Sequence, residues 1–201
     1  MAHQLIIFDL GGVLIERHPE RLIEQVVKAS GRSRQEVEAV ANDPKLVEQF
    51  ELGRMTPSEV FADVKRRLGL PWDFDQFAQA WNGILSYNPQ LTSLLERLRS
   101  HYTLAVLSNT NALHDAHIRR SWPVFERIHH WVASWEVGFR KPEPQIYELV
   151  LERANVRPQA AVYIDDVKEF VDAGRRVGLT GIHLADGLVL EHELRAVGLH
   201  V

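Results

Sequence analysis

No cysteine occurs in the 201 residues, which excludes disulfides, a thiolate nucleophile and cysteine-bound zinc. The absence suits a reducing compartment. There is no lysine- and arginine-rich block either, and 23 basic against 27 acidic side chains leave a formal charge of −4. That balance gives no support for nucleic acid or an anionic membrane as a partner. No apolar run approaches the roughly 18 residues of a membrane span. The first residues, MAHQ, carry no cationic leader-like region. Internal repeats and low-complexity tracts are missing. The expectation is a soluble, cytoplasmic protein, monomeric or homodimeric. Its 45% hydrophobic content is enough for one core with a substantial insertion, or for two small domains.

Four short apolar runs read as buried parallel strands: QLIIFD (4–9), TLAVLS (103–108), AAVYID (160–165) and TGIHL (180–184). Each is rich in β-formers, bounded by turn residues and followed by a helical pattern. HHWVAS (129–134) is a fifth candidate. Strand and helix in alternation predict an α/β fold, a doubly wound parallel sheet covered on both faces. Residues 16–88 differ: amphipathic segments at helical spacing, without a strand-like run, predict an insert of four or five helices. Thr56-Pro57-Ser58-Glu59 is a helix start with a capping box, Asp73 with Gln76 a second, and Asn88-Pro89 marks the exit. The expected domains are a core from 1–15 and 89–201 and a helical cap from 16–88.

Polar residues fall at the carboxyl ends of these strands: Asp9, then Ser108-Asn109-Thr110-Asn111, then Asp165-Asp166. Ligands of open α/β sheets bind at such an edge, where helix N-termini face anions. Arg140-Lys141-Pro142, ahead of a predicted helix at 144–153, can reach the same edge. Three carboxylates on one edge repel unless a cation sits among them, and hard oxygen ligands favour Mg²⁺. A serine, backbone amides and a lysine suit a phosphoryl group. A carboxylate beside the metal and in line with the phosphate can act as the nucleophile. Taken singly, an aspartate at a strand end is as readily a helix cap, and Lys-Pro a plain loop. It is their conjunction that points to chemistry.

In this order — strand-Asp, strand-Ser, Lys-Pro, strand-Asp-Asp — the motifs resemble those of the haloacid dehalogenase (HAD) superfamily, and the helical insert resembles its α-helical cap. The resemblance covers nearly the whole chain. FDLGGVL, VLSNTNALH, FRKPEPQIY and YIDD look closest to small bacterial phosphatases of the α-D-glucose-1-phosphate phosphatase type, with the phosphatase domain of soluble epoxide hydrolase more distant. The resemblance implies Asp9 as nucleophile, forming an aspartyl-phosphate, and Lys141 as the lysine that neutralises the phosphorylated intermediate. It implies Ser108 and Asn109 as phosphate and substrate binders. Asp9, the main-chain carbonyl of Gly11, Asp165 and Asp166 become the Mg²⁺ site, with Asp166 the direct ligand of the acidic pair. The implied function is Mg²⁺-dependent hydrolysis of a small phosphomonoester, a sugar phosphate first among candidates. The alternatives are a metal-independent 2-haloacid dehalogenase and a degenerate binding protein.

One departure stands out. Most phosphatases of the family carry Asp-x-Asp, whose second acid protonates the leaving oxygen; here the sequence is Asp9-Leu10-Gly11. Losing a general acid typically costs about 10²–10⁴-fold in rate. A leaving group that needs little protonation, or a substitute from His18 or His114, would answer the loss. Val167 and Phe170 stand where relatives often have asparagine, so polar support for the metal aspartates is expected to be thin. From the cap, Glu16, Arg17, His18, Glu51, Arg54 and Trp81 are candidate substrate contacts, Arg17 and Trp81 foremost. Trp81 reads more readily as a packing aromatic, with sugar stacking as the other reading. His114 and His117, spaced i, i+3, read as a solvated helix face. Trp122, Trp131 and Trp135 read as packing.

Overall fold

In the computed structural model, which describes residues 3–185 and 189–201, the chain opens with β1 (Leu5–Phe8), buried along its whole length. A short β2 (Ile15–Arg17) leads into five helices: α1 (Pro19–Ser30), α2 (Arg34–Ala41), α3 (Pro44–Glu51), α4 (Pro57–Leu68) and α5 (Phe74–Asn82). β3 (Leu85–Tyr87) closes this insert. There follow α6 (Leu91–Arg99), β4 (Thr103–Ser108), α7 (Ala112–Ser121), β5 (His130–Ala133), the single-turn α8 (Ser134–Val137) and α9 (Pro144–Ala154). The chain ends with β6 (Ala161–Asp165), α10 (Lys168–Val177), β7 (Thr180–His183) and α11 (Leu190–Ala196).

The main sheet has the order β5-β4-β1-β6-β7, all parallel. Because side chains alternate across a strand, Leu5 and Ile7 join Ala105, Leu107 and Tyr163 in a core roofed by α9 and α10. Ile6 and Phe8 point the other way, with Leu104, Val106, Val162 and Ile164. That second core runs without a break into the insert, through Leu22, Val37, Val64 and Phe77. The expected doubly wound α/β fold is therefore present. The strand order reverses at β1, with β4 on one side and β6 on the other, and this switch point brings three strand ends together around one crevice. Among the described residues no helix is long and apolar enough to cross a membrane.

Local signals hold the insert. Thr56–Glu59 and Asp73–Gln76 close capping boxes, as the sequence predicts, Ser33–Glu36 closes a third, and Asp43 caps α3. The β2–β3 pair departs from the expected strandless insert: Ile15 lies opposite Tyr87 and Arg17 opposite Leu85, antiparallel. Three-residue strands are too short for periodicity to declare. They tie the entry and exit of the insert into one stem. Gly53, after α3, has φ +66°, and a Cβ there would lie 2.1 Å from the Trp135 carbonyl oxygen. The insert thus rests backbone to backbone on the α8 turn.

Two of the tryptophans expected to be packing residues, Trp131 and Trp135, are also donors. Asp115 on α7 is buried and accepts from Trp131 Nε1 at 2.7 Å, Trp135 Nε1 at 3.2 Å and Arg119 Nε at 3.1 Å. This carboxylate bolts α7 to β5 and α8. Asp115→Ala orphans both indole N–H groups and is expected to destabilise the fold by about 2–4 kcal/mol in urea denaturation. A loss under about 1 kcal/mol would show that water replaces the carboxylate.

Candidate active site

Asp9 leaves β1 at the switch point, where its backbone N–H still donates to Ile164 of β6 at 2.9 Å. Its carboxylate meets the ammonium of Lys141, Oδ1 to Nζ 2.9 Å, and the same ammonium donates to Asp165 Oδ2 at 2.6 Å. Lys141 is 1% exposed. Burial would lower its pKa, but Asp9 and Asp165 more than reverse that and hold it above the ordinary lysine value. Burial raises the Asp9 carboxyl; Lys141 opposes the rise and Asp165 adds to it.

Both neighbours of this trio are fixed by hydrogen bonds. Asn109, expected to bind substrate, spends both ends of its amide on the main chain of Lys141, donating to the carbonyl at 3.0 Å and accepting from the N–H at 2.8 Å. The amide thereby holds the Lys141 loop in place, while Asn109 also lines the cavity. Asp165 is held firmly by protein: besides Lys141, its Oδ2 accepts from Tyr163 Oη, and its Oδ1 accepts from the Val167 N–H at 2.8 Å. Burial, reinforced by Asp165, pushes the Tyr163 hydroxyl well above its usual pKa, so it stays a donor. Tyr163 escaped the sequence reading, although its place two residues before Asp165 puts it on the same strand face.

Asp166 is different. Its Oδ1 is buried without a partner among the described residues, and burial, then Asp9 and Asp165, raise its pKa. Its carboxylate fills the space over Gly12, where a Cβ would lie 2.1 Å from Oδ2 and φ is +75°. One oxygen each of Asp9, Asp165 and Asp166 lies within 4.8 Å of the others. Three carboxylates against one ammonium leave an excess of negative charge, and a hard divalent cation fits it. Beside the acidic pair, His183 on β7 donates through Nε2 to the Asp166 main-chain carbonyl at 3.0 Å, which leaves the carboxylate itself without that support.

Position 11 has a positive neighbour. A Cβ on Gly11 would stand 2.8 Å from Arg17 Nε, so the guanidinium stem from β2 occupies the space of the missing acid. The two proposed substitutes fare differently. His18 pairs with Ser86 Oγ at 2.9 Å on the β2–β3 stem and does not line the crevice. His114 does line it, which corrects its placement on a solvated face. Its Nε2 donates to the Trp81 carbonyl at 3.1 Å and its Nδ1 lies 3.3 Å from Asn111 Nδ2. Burial lowers its pKa to about 4. His117 is half-buried too, edge-on to Trp122 at 5.5 Å between centroids.

The crevice opens into a cavity of about 580 Å³ that continues into the insert. Asp9, Gly11, Ser108, Asn109, Asp166 and Arg17 line its mouth; Lys141 and Asp165 stand behind that wall. Trp81 lies in the wall as a member of an aromatic cluster, its ring 5.7 Å from Phe50, 5.3 Å from Phe77 and 5.6 Å from His114. Glu51 joins the rim, paired with Arg140 of the core at 3.0 Å, and burial raises its pKa against the pull of that arginine. Arg54 and Glu16 are exposed and lie outside the wall.

Comparison with known proteins follows the same lines. Over 194 residues the chain is 30% identical to the sesquiterpene phosphatase AstK of Aspergillus oryzae, covering 94% of this chain and 93% of that protein. It is 20% identical over 199 residues to the D-ribitol-5-phosphate phosphatase of Bacteroides thetaiotaomicron, covering 96% and 97%. A crystal structure of a HAD family enzyme from Bacteroides thetaiotaomicron, in complex with magnesium and inorganic phosphate, superimposes with a TM-score of 0.87. That enzyme is 28% identical, with 95% of this chain and 98% of that one covered. A model for haloacid dehalogenase-like hydrolases matches residues 3–178, and the chain belongs to that family.

Proposed function

We propose that this protein is a Mg²⁺-dependent phosphomonoester hydrolase acting on a small phosphorylated metabolite through an aspartyl-phosphate on Asp9. The observation that carries the reading is the carboxylate cluster at the switch point, where Asp9 faces the cavity, Lys141 is buried behind it and Asp166 has an oxygen without a partner. Asp9, Asp166 and the Gly11 carbonyl would hold Mg²⁺, with Asp165 behind them. The ion would supply positive charge against the phosphoryl oxygens. The Asp9 carboxylate attacks phosphorus, the ester P–O bond breaks with its electron pair going to the leaving oxygen, and water later cleaves the acyl phosphate. Lys141 favours the ionised nucleophile and balances the phosphoryl charge. Ser108 and Arg17 stand where they can bind phosphoryl oxygens. Residues 16–88 act as the cap that closes over the substrate. The same reading places the enzyme in the cytoplasm, as a monomer or homodimer.

Carbohydrate phosphates are one substrate class in view, because D-ribitol-5-phosphate names a relative's substrate. The leaving oxygen gains no proton from position 11, and His114 is neutral near pH 7, with Nε2–H committed to the Trp81 carbonyl. Esters of acidic hydroxyls are therefore favoured over those of ordinary alcohols.

Two expectations test this reading. Phosphate release from phenyl phosphate should require Mg²⁺ and fall at least about 10³-fold in Asp9→Asn; undiminished release by the variant, or metal-independent halide release from 2-haloacids instead, would overturn it. The second concerns His114, with a folded pKa of about 4 against an ordinary value of 6.5. As pH falls below 6.5 the unfolded chain takes up the proton first, so stability is lost down to about pH 4 and is flat above neutrality. His114→Gln, which keeps a donor for the Trp81 carbonyl, should remove up to about 3 kcal/mol of that loss in denaturant titrations across the range. Parallel pH curves for wild type and variant would place the histidine in water.

A further inference from the structure

We propose that the chamber inside the helical insert holds the apolar part of the substrate, an extended hydrocarbon group joined to the phosphate that Asp9 attacks. This rests on the phosphatase reading and adds its substrate class. The walls carry the argument. Every lining side chain contributed by α1, α2 and α4 is apolar, among them Ile23, Val26, Val37, Val40, Val64 and Leu68. Polar lining groups gather at the other end, around Asp9, Ser108 and Asp166, with Asn42 after α2 standing apart from them. The cavity is one continuous space of about 580 Å³, so a ligand with its phosphate on Asp9 extends into the hydrocarbon-lined part.

Valines line the space from all three helices, Val26 of α1, Val37 and Val40 of α2 and Val64 of α4, and each is one heavy atom short of a leucine and four short of a phenylalanine, which leaves room between the helices. Protein interiors hold few voids larger than a water molecule, and the destabilisation caused by a void grows with its volume. Water is a poor filler here, because an ordered water needs two to four polar partners that α1, α2 and α4 do not offer. A sugar is also a poor occupant of the inner part, since each hydroxyl would leave solvent without a replacement hydrogen bond. A hydrocarbon chain or fused hydrocarbon ring fits these walls and restores the missing packing.

The test uses 4-alkylphenyl phosphates, which lengthen the apolar group while keeping a phenol as leaving group, with hexylphosphonate and methylphosphonate as non-hydrolysable probes. All are used with the whole 201-residue chain and Mg²⁺. Expected is a rise in kcat/KM of about fourfold per methylene until the chamber is full. From phenyl to 4-hexylphenyl phosphate the rise should be at least about tenfold even if only two of the six carbons are buried, and hexylphosphonate should raise Tm more than methylphosphonate. Val40→Phe, which fills the chamber from α2, should cut the hexyl-to-unsubstituted ratio by at least about tenfold. If phenyl phosphate is hydrolysed but kcat/KM is flat or falls with chain length, the tail site is overturned and the phosphatase stands. If no ester releases phosphate yet hexylphosphonate alone stabilises the fold, the hydrolytic reading fails and the tail site is supported. If neither occurs, both are overturned.

Discussion

The ammonium of Lys141 is buried to 1% exposure between the carboxylates of Asp9 and Asp165, and the architecture of the site depends on it. A buried cation without partners would cost several kcal/mol, and removing one partner of such a pair is strongly destabilising. The loop before α9 must therefore approach the ends of β1 and β6, and Asn109 from the end of β4 clamps its main chain there. Two strand ends and one loop are located by a single charge, and a third strand end by the main chain that carries it. The remaining imbalance is as informative. With Asp166 included, the carboxylates outnumber the ammonium three to one. Such a cluster could hold a divalent cation, which would add to the Arg17 charge in offsetting the carboxylates that face an anion.

The insert is joined to this centre by two kinds of contact. At the rim they are polar or main-chain: Glu51 with Arg140, and Gly53 against the Trp135 carbonyl. Inside, the hydrophobic cluster of one sheet face continues into α1, α2, α4 and α5 without interruption. The rim contacts give orientation, while the apolar interior supplies most of the burial energy. The β2–β3 stem carries Arg17 to the cavity mouth and so links the posture of the insert to the charge beside Asp9.

Much of this was legible in the sequence because each part carried a local signal. Buried strands appear as uninterrupted apolar runs, and the capping boxes at Thr56 and Asp73 announce helices whatever the tertiary context. The approach of Asp9, Lys141 and Asp165 follows from strand ends sharing one edge. What stayed hidden depends on long-range partners. Asp115 looks like an ordinary helical aspartate until Trp131 and Trp135 arrive from 16 and 20 residues away. His114 looks solvated until α5 covers it with Trp81. Asn109 has the composition of a ligand-binding residue, and only the fold shows its amide engaged with Lys141. The three-residue β2 and β3 exist as a pair and carry no individual pattern.

Gly11 and the hydrocarbon-lined chamber answer one another. Arg17 takes the space that a second acid would need, so a dissociable proton is exchanged for a permanent positive charge. A guanidinium can stabilise a leaving oxyanion or a phosphoryl oxygen, yet it does not deliver a proton at neutral pH. Catalysis must then draw more on positioning and on binding energy from parts of the substrate remote from phosphorus. A large apolar group seated among Val37, Val40, Val64 and Leu68 provides that energy without hydrogen bonds, and it excludes water from a site where charge interactions are strong when dry. In this arrangement the chamber does more than admit a substrate. Its apolar contacts offset the acid that Arg17 displaced, and esters too small to reach them would feel the loss at Gly11 most.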